Sequence, residues 1–137
     1  MADVGYSGTS LAKKLGLKAP LKLWIVNAPQ EYKSWLGELP DDVKLITKAS
    51  VPIEAAHIFV IESIELDALL HKLRKELKQD GFVWVSWLKK SSNVPTDISD
   101  NMIREIALPL GFVDIKVCAV SDLWSGLKLV IRKSERK

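Results

Sequence analysis

The 137 residues are 47% hydrophobic and 27% charged, with a net charge of +3. This is the make-up of one globular domain large enough to bury a core, and it excludes a disordered or collagenous chain. There is no run of about eighteen apolar residues to span a bilayer, and Met1-Ala2-Asp3-Val4-Gly5 lacks the plan of a signal peptide. A cytoplasmic protein with no membrane partner is expected.

Residues 1–20 read as a leader. Within it Gly5-Tyr6-Ser7-Gly8-Thr9 is an irregular loop, after which Thr9 or Ser10 can cap a short helix running to Leu15. Gly16 can close that helix in a left-handed conformation. Leu21 to Val26 is an apolar strand ended by Asn27-Ala28-Pro29, and Gln30 to Leu36 has room for about two helical turns before Gly37. Val43 to Lys48 is the second strand. Ala49 to Ala56, carrying Pro52, connects it to a third strand, His57 to Ile61.

A helix follows with Leu66, Leu69, Leu70, Leu73 and Leu77 on one stripe, Ser63 as its cap and Asp80-Gly81 as its stop. Phe82 to Leu88 is the fourth strand, and Lys89 to Pro95 is a polar loop. Asp97 or Ser99 can cap a helix through Ile98, Met102, Ile103, Ile106 and Leu110, whose last turn Pro109 should cut short. Val113 to Ser121 and Leu127 to Lys133 form two strands joined by Asp122 to Gly126, a link short enough to imply an antiparallel hairpin. Residues 134–137 are a basic tail.

This order predicts a single α/β domain with its core over residues 21–133: a three-layer, mostly parallel sheet ending in an antiparallel hairpin. Ala49 to Ala56 is too short for a crossover helix. At about 3.3 Å per residue it can still run back along a strand, so a parallel return and a local antiparallel pair both stay open.

Open α/β sheets bind ligands at the carboxyl ends of their strands. A nucleotide-type cofactor needs glycines in the first strand-to-helix turn, so that backbone N–H groups can approach it. That turn here is Val26-Asn27-Ala28-Pro29-Gln30, without glycine and with a proline that has no N–H. The end of the second strand, where an acid would grip ribose hydroxyls, holds Thr47, Lys48, Ala49 and Ser50. No cofactor is expected.

The densest candidate cluster is Trp87, Lys89, Lys90 and Ser91 after the fourth strand. Its ammonium and hydroxyl groups suit a small anionic ligand, and the indole suits a ring. A solvated loop beside a packed tryptophan is the plainer reading. Trp124, in the hairpin link, either covers a neighbour or meets a protein partner. Tyr6, Ser7 and Thr9 of the leader and Asn27 of the first turn complete the candidate ligand-binding set.

His57 and His71 have no second ligand at metal spacing, so no metal is expected. There is no G-x-S-x-G elbow, and Cys118, the one cysteine, has no evident histidine partner, so no catalytic residue is assigned. Val117, Ala119 and Val120 suggest that Cys118 is a buried thiol in a strand. The excess charge lies at the ends, in Lys13, Lys14, Lys18, Arg132, Lys133, Arg136 and Lys137. Such termini are more often a solubility feature than a nucleic-acid surface. The tryptophans at 24, 35, 84, 87 and 124 are not interleaved with basic residues as a stacking platform for nucleic acid would be. They fit a core or a homodimer interface equally.

Gly5-Tyr6-Ser7-Gly8-Thr9, Leu11-Ala12-Lys13-Lys14-Leu15-Gly16, Val85-Ser86-Trp87 with Lys89-Lys90, and Lys116-Val117-Cys118-Ala119-Val120 leading to Trp124-Ser125-Gly126-Leu127-Lys128-Leu129-Val130 span nearly the whole chain. Together they resemble a bacterial family of small proteins catalogued as a domain of unknown function. The resemblance implies the domain's extent and points to no particular activity. The second half, with its amphipathic helix, Asp80-Gly81, strand, polar loop, helix ending at Gly111-Phe112 and closing hairpin, more distantly resembles the distal half of a class I methyltransferase. That implies a truncated Rossmann/methyltransferase-like sheet whose two cofactor motifs are missing. The function expected is a non-catalytic binding or regulatory module. The alternatives are a divergent transferase or methyltransferase holding its substrate under the Gly5 to Thr9 leader, and a weak nucleic-acid binder acting through the basic termini.

Overall fold

The computed structural model describes residues 10–137. The leader candidates Tyr6, Ser7 and Thr9 lie outside these residues. Chain order is α1 (Leu11–Lys14), β1 (Leu21–Val26), α2 (Tyr32–Leu36), β2 (Val43–Ile46), β3 (Ile53–Phe59), α3 (Ser63–Glu76), β4 (Leu77–Leu88), α4 (Asp100–Leu110), β5 (Phe112–Ala119) and β6 (Trp124–Ile131). The strands form one six-stranded sheet in the order β2-β1-β3-β4-β6-β5.

Pairs β1–β2, β1–β3 and β3–β4 are parallel, and β4–β6 and β5–β6 are antiparallel. The mostly parallel sheet with a closing hairpin is therefore as expected. Because β2 and β3 flank β1 on opposite sides, both parallel to it, the 49–56 connection makes a parallel return. The chain thus reverses its direction of strand addition at β1, and the carboxyl ends of β1 and β3 flank the switch point where such sheets bind ligands.

Helices cover both faces. On one face Leu66, Leu70 and Leu73 of α3 and Ile103 and Ala107 of α4 pack with Ile58, Val83, Val85, Leu127 and Leu129 of the sheet. On the other, Leu11, Leu15, Tyr32 and Leu36 pack with Leu23, Phe59 and Trp84. Trp84 is fully buried, and its indole N–H donates to the Leu15 carbonyl at 2.9 Å, which fastens α1 to the sheet. Ser10 caps α1 by accepting the Lys13 N–H at 3.3 Å, and Gly16 closes it at φ +74°. Trp87 is half-buried and packs against the α3/α4 core.

Four local expectations need correction. β3 begins at Ile53, not His57: Ala55 and Ala56 are small enough to be enclosed completely, and their backbones pair with β1 and β4. Leu77 does not end the helical stripe. It opens β4 opposite Ile53, because two-sided burial is equally compatible with a strand. Pro109 does not shorten α4, which runs to Leu110 before Gly111 at φ +101°. The carbonyl deprived by the missing proline N–H belongs to Glu105, an exposed residue. Cys118 is half-buried rather than enclosed, and burial raises its thiol pKa.

Candidate functional site

The end of β1 presents Asn27 in the left-handed region, at φ +57°. Asparagine tolerates this conformation because its short amide bonds locally. Here the amide Nδ2 donates to Glu65 Oε2 at 2.8 Å, tying the first turn to α3. The end of β3 leads through Ile61 and Glu62 into α3. At the start of that helix Ser63 donates its N–H to Asp97 Oδ1 and its hydroxyl to Asp97 Oδ2, both at 2.7 Å. These bonds from Ser63 hold the Asp97 carboxyl below the ordinary carboxylate range. Thr96 donates its hydroxyl to the Ile61 carbonyl, so the segment before α4 is strapped across the end of β3.

Between these parts lies an open cleft of about 930 Å³. Asn27 and Pro29 form one side, Glu62 and Glu65 the α3 side, and Pro95 to Asp97 the other, with Phe59, Ile61 and Trp124 completing it. Its lining carries three carboxylates, Glu62, Glu65 and Asp97, and neither a lysine nor an arginine. A helix N-terminus ordinarily attracts anions, but that of α3 is already occupied by the chain's own Asp97. The lysines and serine expected to meet an anion, Lys89, Lys90 and Ser91, are not part of this lining. A smaller crevice of about 380 Å³ adjoins it at Trp24, Val26, Ala28 and Thr47, where the Trp24 indole N–H donates to the Thr47 carbonyl at 3.3 Å.

Trp124 is half-buried and ends an aromatic column. Its ring stands edge-on to Phe59 with centroids 5.0 Å apart, and Phe59 stacks on His57 at 4.4 Å. Tyr32 meets both Phe59 and His57 edge-on, at 5.4 and 5.1 Å. Behind this column runs a fully enclosed relay: Tyr32 Oη lies 2.7 Å from His57 Nδ1, and His57 Nε2 lies 2.7 Å from Ser86 Oγ. A neutral imidazole has one N–H and one lone pair, so one hydroxyl donates to the ring and the other accepts from it. Burial lowers the His57 pKa to about 3 and pushes the Tyr32 phenol above its ordinary range. His57 is therefore a neutral residue of the core. Among the described residues no cluster of histidine, cysteine, aspartate and glutamate could hold a metal ion.

Of the residues singled out from the sequence, Asn27 and Trp124 meet at this cleft, while Trp87, Lys89, Lys90 and Ser91 are not among its lining. Lys89 donates its ammonium to the Ser121 carbonyl at 3.0 Å and its N–H to the Leu123 carbonyl at 2.8 Å, bracing the hairpin link. Sequence reasoning passed over Glu62, Glu65 and Asp97. The first two could have been found from their place just beyond a buried strand at the switch point. Asp97 could not, because its partner is the other helix.

Searches of protein-family models and of curated proteins find no match to the chain. Solved structures do match. A SAM-dependent methyltransferase from Aquifex aeolicus aligns at 13% identity with a TM-score of 0.66, covering 88% of this chain and 87% of that one. A protein from Pyrococcus horikoshii OT3 aligns at 12% identity and 0.61, over 90% and 88%. Magnesium protoporphyrin IX methyltransferase from Synechocystis PCC 6803, solved with bound SAM, aligns at 11% and 0.57, over 90% and 74%. The fold is methyltransferase-like. At these identities the likeness concerns the sheet and its helices alone.

S-adenosylmethionine does not fit the first turn. No glycine is there to open a cradle, Asn27 takes the left-handed position with a side chain already engaged by Glu65, and Pro29 lines the cleft without an N–H to donate. At the end of β2, the Thr47 carbonyl serves the Trp24 indole and no carboxylate follows.

Proposed function

We propose that this chain is a non-catalytic binding or regulatory module on a methyltransferase-like sheet, and that its cleft takes a neutral or cationic organic molecule against Trp124. The observation that carries this reading is the first turn: Asn27 locked to Glu65, beside Pro29, where a cofactor would need free backbone amides. Three carboxylates in a cleft that Trp124 also lines favour a positive guest, since carboxylates attract a cation and an indole can receive one on its face.

Melting curves with choline, spermidine, S-adenosylmethionine and S-adenosylhomocysteine, each at millimolar concentration, test the reading. A ligand at 100 times its Kd stabilises by about 2.7 kcal/mol. The expected result is stabilisation by an amine that Trp124→Ala abolishes, with no response to either adenosyl compound. A second reading, a divergent methyltransferase, draws on the match to a structure holding bound SAM. Stabilisation by both S-adenosylmethionine and the uncharged-sulfur S-adenosylhomocysteine, with none by the simple amines, would favour that reading over the first.

A further inference from the structure

We propose that Lys116 and Lys128 form a binding site for a phosphoryl group on the α1 face of the sheet, apart from the acidic cleft. Lys116 and Lys128 are register partners on β5 and β6. Like charges directly opposite each other on neighbouring strands are destabilising, so the pair calls for a counter-charge. Among the described residues neither lysine makes an ion pair.

The setting is also shaped. Lys128 Nζ sits 4.5 Å from the centroid of the Phe82 ring, which holds the ammonium in place. Lys116 Nζ donates to the Lys14 carbonyl at 3.2 Å, which draws it toward the end of α1. Between them Gly16, at φ +74°, presents no side chain: a Cβ there would stand 3.4 Å from Lys128 Nζ and would crowd any group bound to it. Burial first, then the charges of Lys116 and Lys18, lowers the Lys128 pKa.

A compact dianion suits this arrangement better than a long polyanion. Ammonium groups act as point charges and gather around one phosphoryl group. The arginines that could extend a track along the protein are committed to its own backbone: Arg132 donates to the Leu108 carbonyl at 2.8 Å and Arg136 to that of Ile131 at 2.9 Å.

Calorimetric titration with inorganic phosphate and with pyrophosphate, in chloride at constant ionic strength, tests the site on the full chain. Saturable binding is expected, weakened about tenfold by Lys116→Gln and by Lys128→Met, the scale of one lost charge-assisted contact, and unchanged by Lys33→Gln on α2. Lys116 is exposed, so its substitution spares the core. In phosphate-free buffer Lys116→Gln should melt no lower than the parent, since it relieves a like-charge pair. Absence of saturable phosphate binding, or equal binding by all four proteins, overturns the assignment. So does salt-dependent capture of duplex DNA without capture of phosphate, which would make the patch a nucleic-acid surface.

Discussion

The Tyr32–His57–Ser86 relay makes a quantitative demand on acid stability. His57 is enclosed and neutral, with its pKa lowered from 6.5 to about 3. In the unfolded chain the same imidazole binds a proton near its ordinary pKa. Below pH 6.5 the unfolded state therefore holds one more proton than the native state, and stability falls as pH falls until about pH 3. The slope is about 1.36 kcal/mol per pH unit, so acidifying from pH 8 to 4.5 costs about 2.7 kcal/mol from this residue. With an unfolding entropy of roughly 2.1 cal/mol/K per residue, this corresponds to a fall in Tm of roughly 9 °C for a chain of this length.

The matched comparison is a triple variant, Tyr32→Phe, His57→Leu and Ser86→Ala, which removes all three hydrogen-bonding groups together and leaves no polar atom stranded. Urea unfolding at pH 8, 6, 5 and 4.5 should show the parent losing about 2.7 kcal/mol more than the triple variant. The single change Tyr32→Phe, which strands the Nδ1 side of the ring, should cost about 1–3 kcal/mol at pH 8. Equal acid losses in parent and triple variant would refute the assignment of a neutral, enclosed His57.

Gly81→Ala should destabilise by about 1–3 kcal/mol in urea unfolding, because the added Cβ would lie 2.7 Å from the Glu54 carbonyl oxygen, a backbone atom that cannot swing aside. Ser99→Ala should cost about 1 kcal/mol, since the Ser99 hydroxyl accepts the Met102 N–H at 3.2 Å and caps α4; thermal unfolding reads this directly. Arg104→Met should cost only about 0.2–1 kcal/mol although Arg104 reaches both Asp100 and Asp114 at 3.0 Å. The three groups are partly exposed, so the difference from the parent should shrink in 0.5 M salt, which screens such pairs.

Much of the fold was legible in the sequence because its punctuation is local. Leu21 to Val26 appears as β1 with those bounds, Ser99 caps α4, and the last two strands form the expected antiparallel hairpin, although β6 already begins at Trp124, inside the expected link. Errors arose where an apolar residue fits two periods, as with Leu77, or where Pro52 and small side chains disguise the start of β3. The candidate site was legible by half. Asn27 and Trp124 could be placed from the turn and the indole near the hairpin, but Asp97 bonds to Ser63 across 34 positions, and no local pattern announces it. The pairing of Lys116 with Lys128 likewise depends on the β5–β6 register. That register shifts between Asp114 and Lys116, a slip that counting along the strands would miss.

The same slip governs how the sheet terminates. Its two borders are β2, only four residues long, and β5, where Ile115 and Val117 stand 56% and 58% exposed. A flat apolar border with evenly spaced amides recruits further strands and seeds fibrils. The irregular step at Ile115, flanked by Asp114 and Lys116, interrupts that spacing, and a border as short as β2 offers little purchase. Both margins thus guard against end-to-end growth, which lets the chain keep greasy residues on its rim.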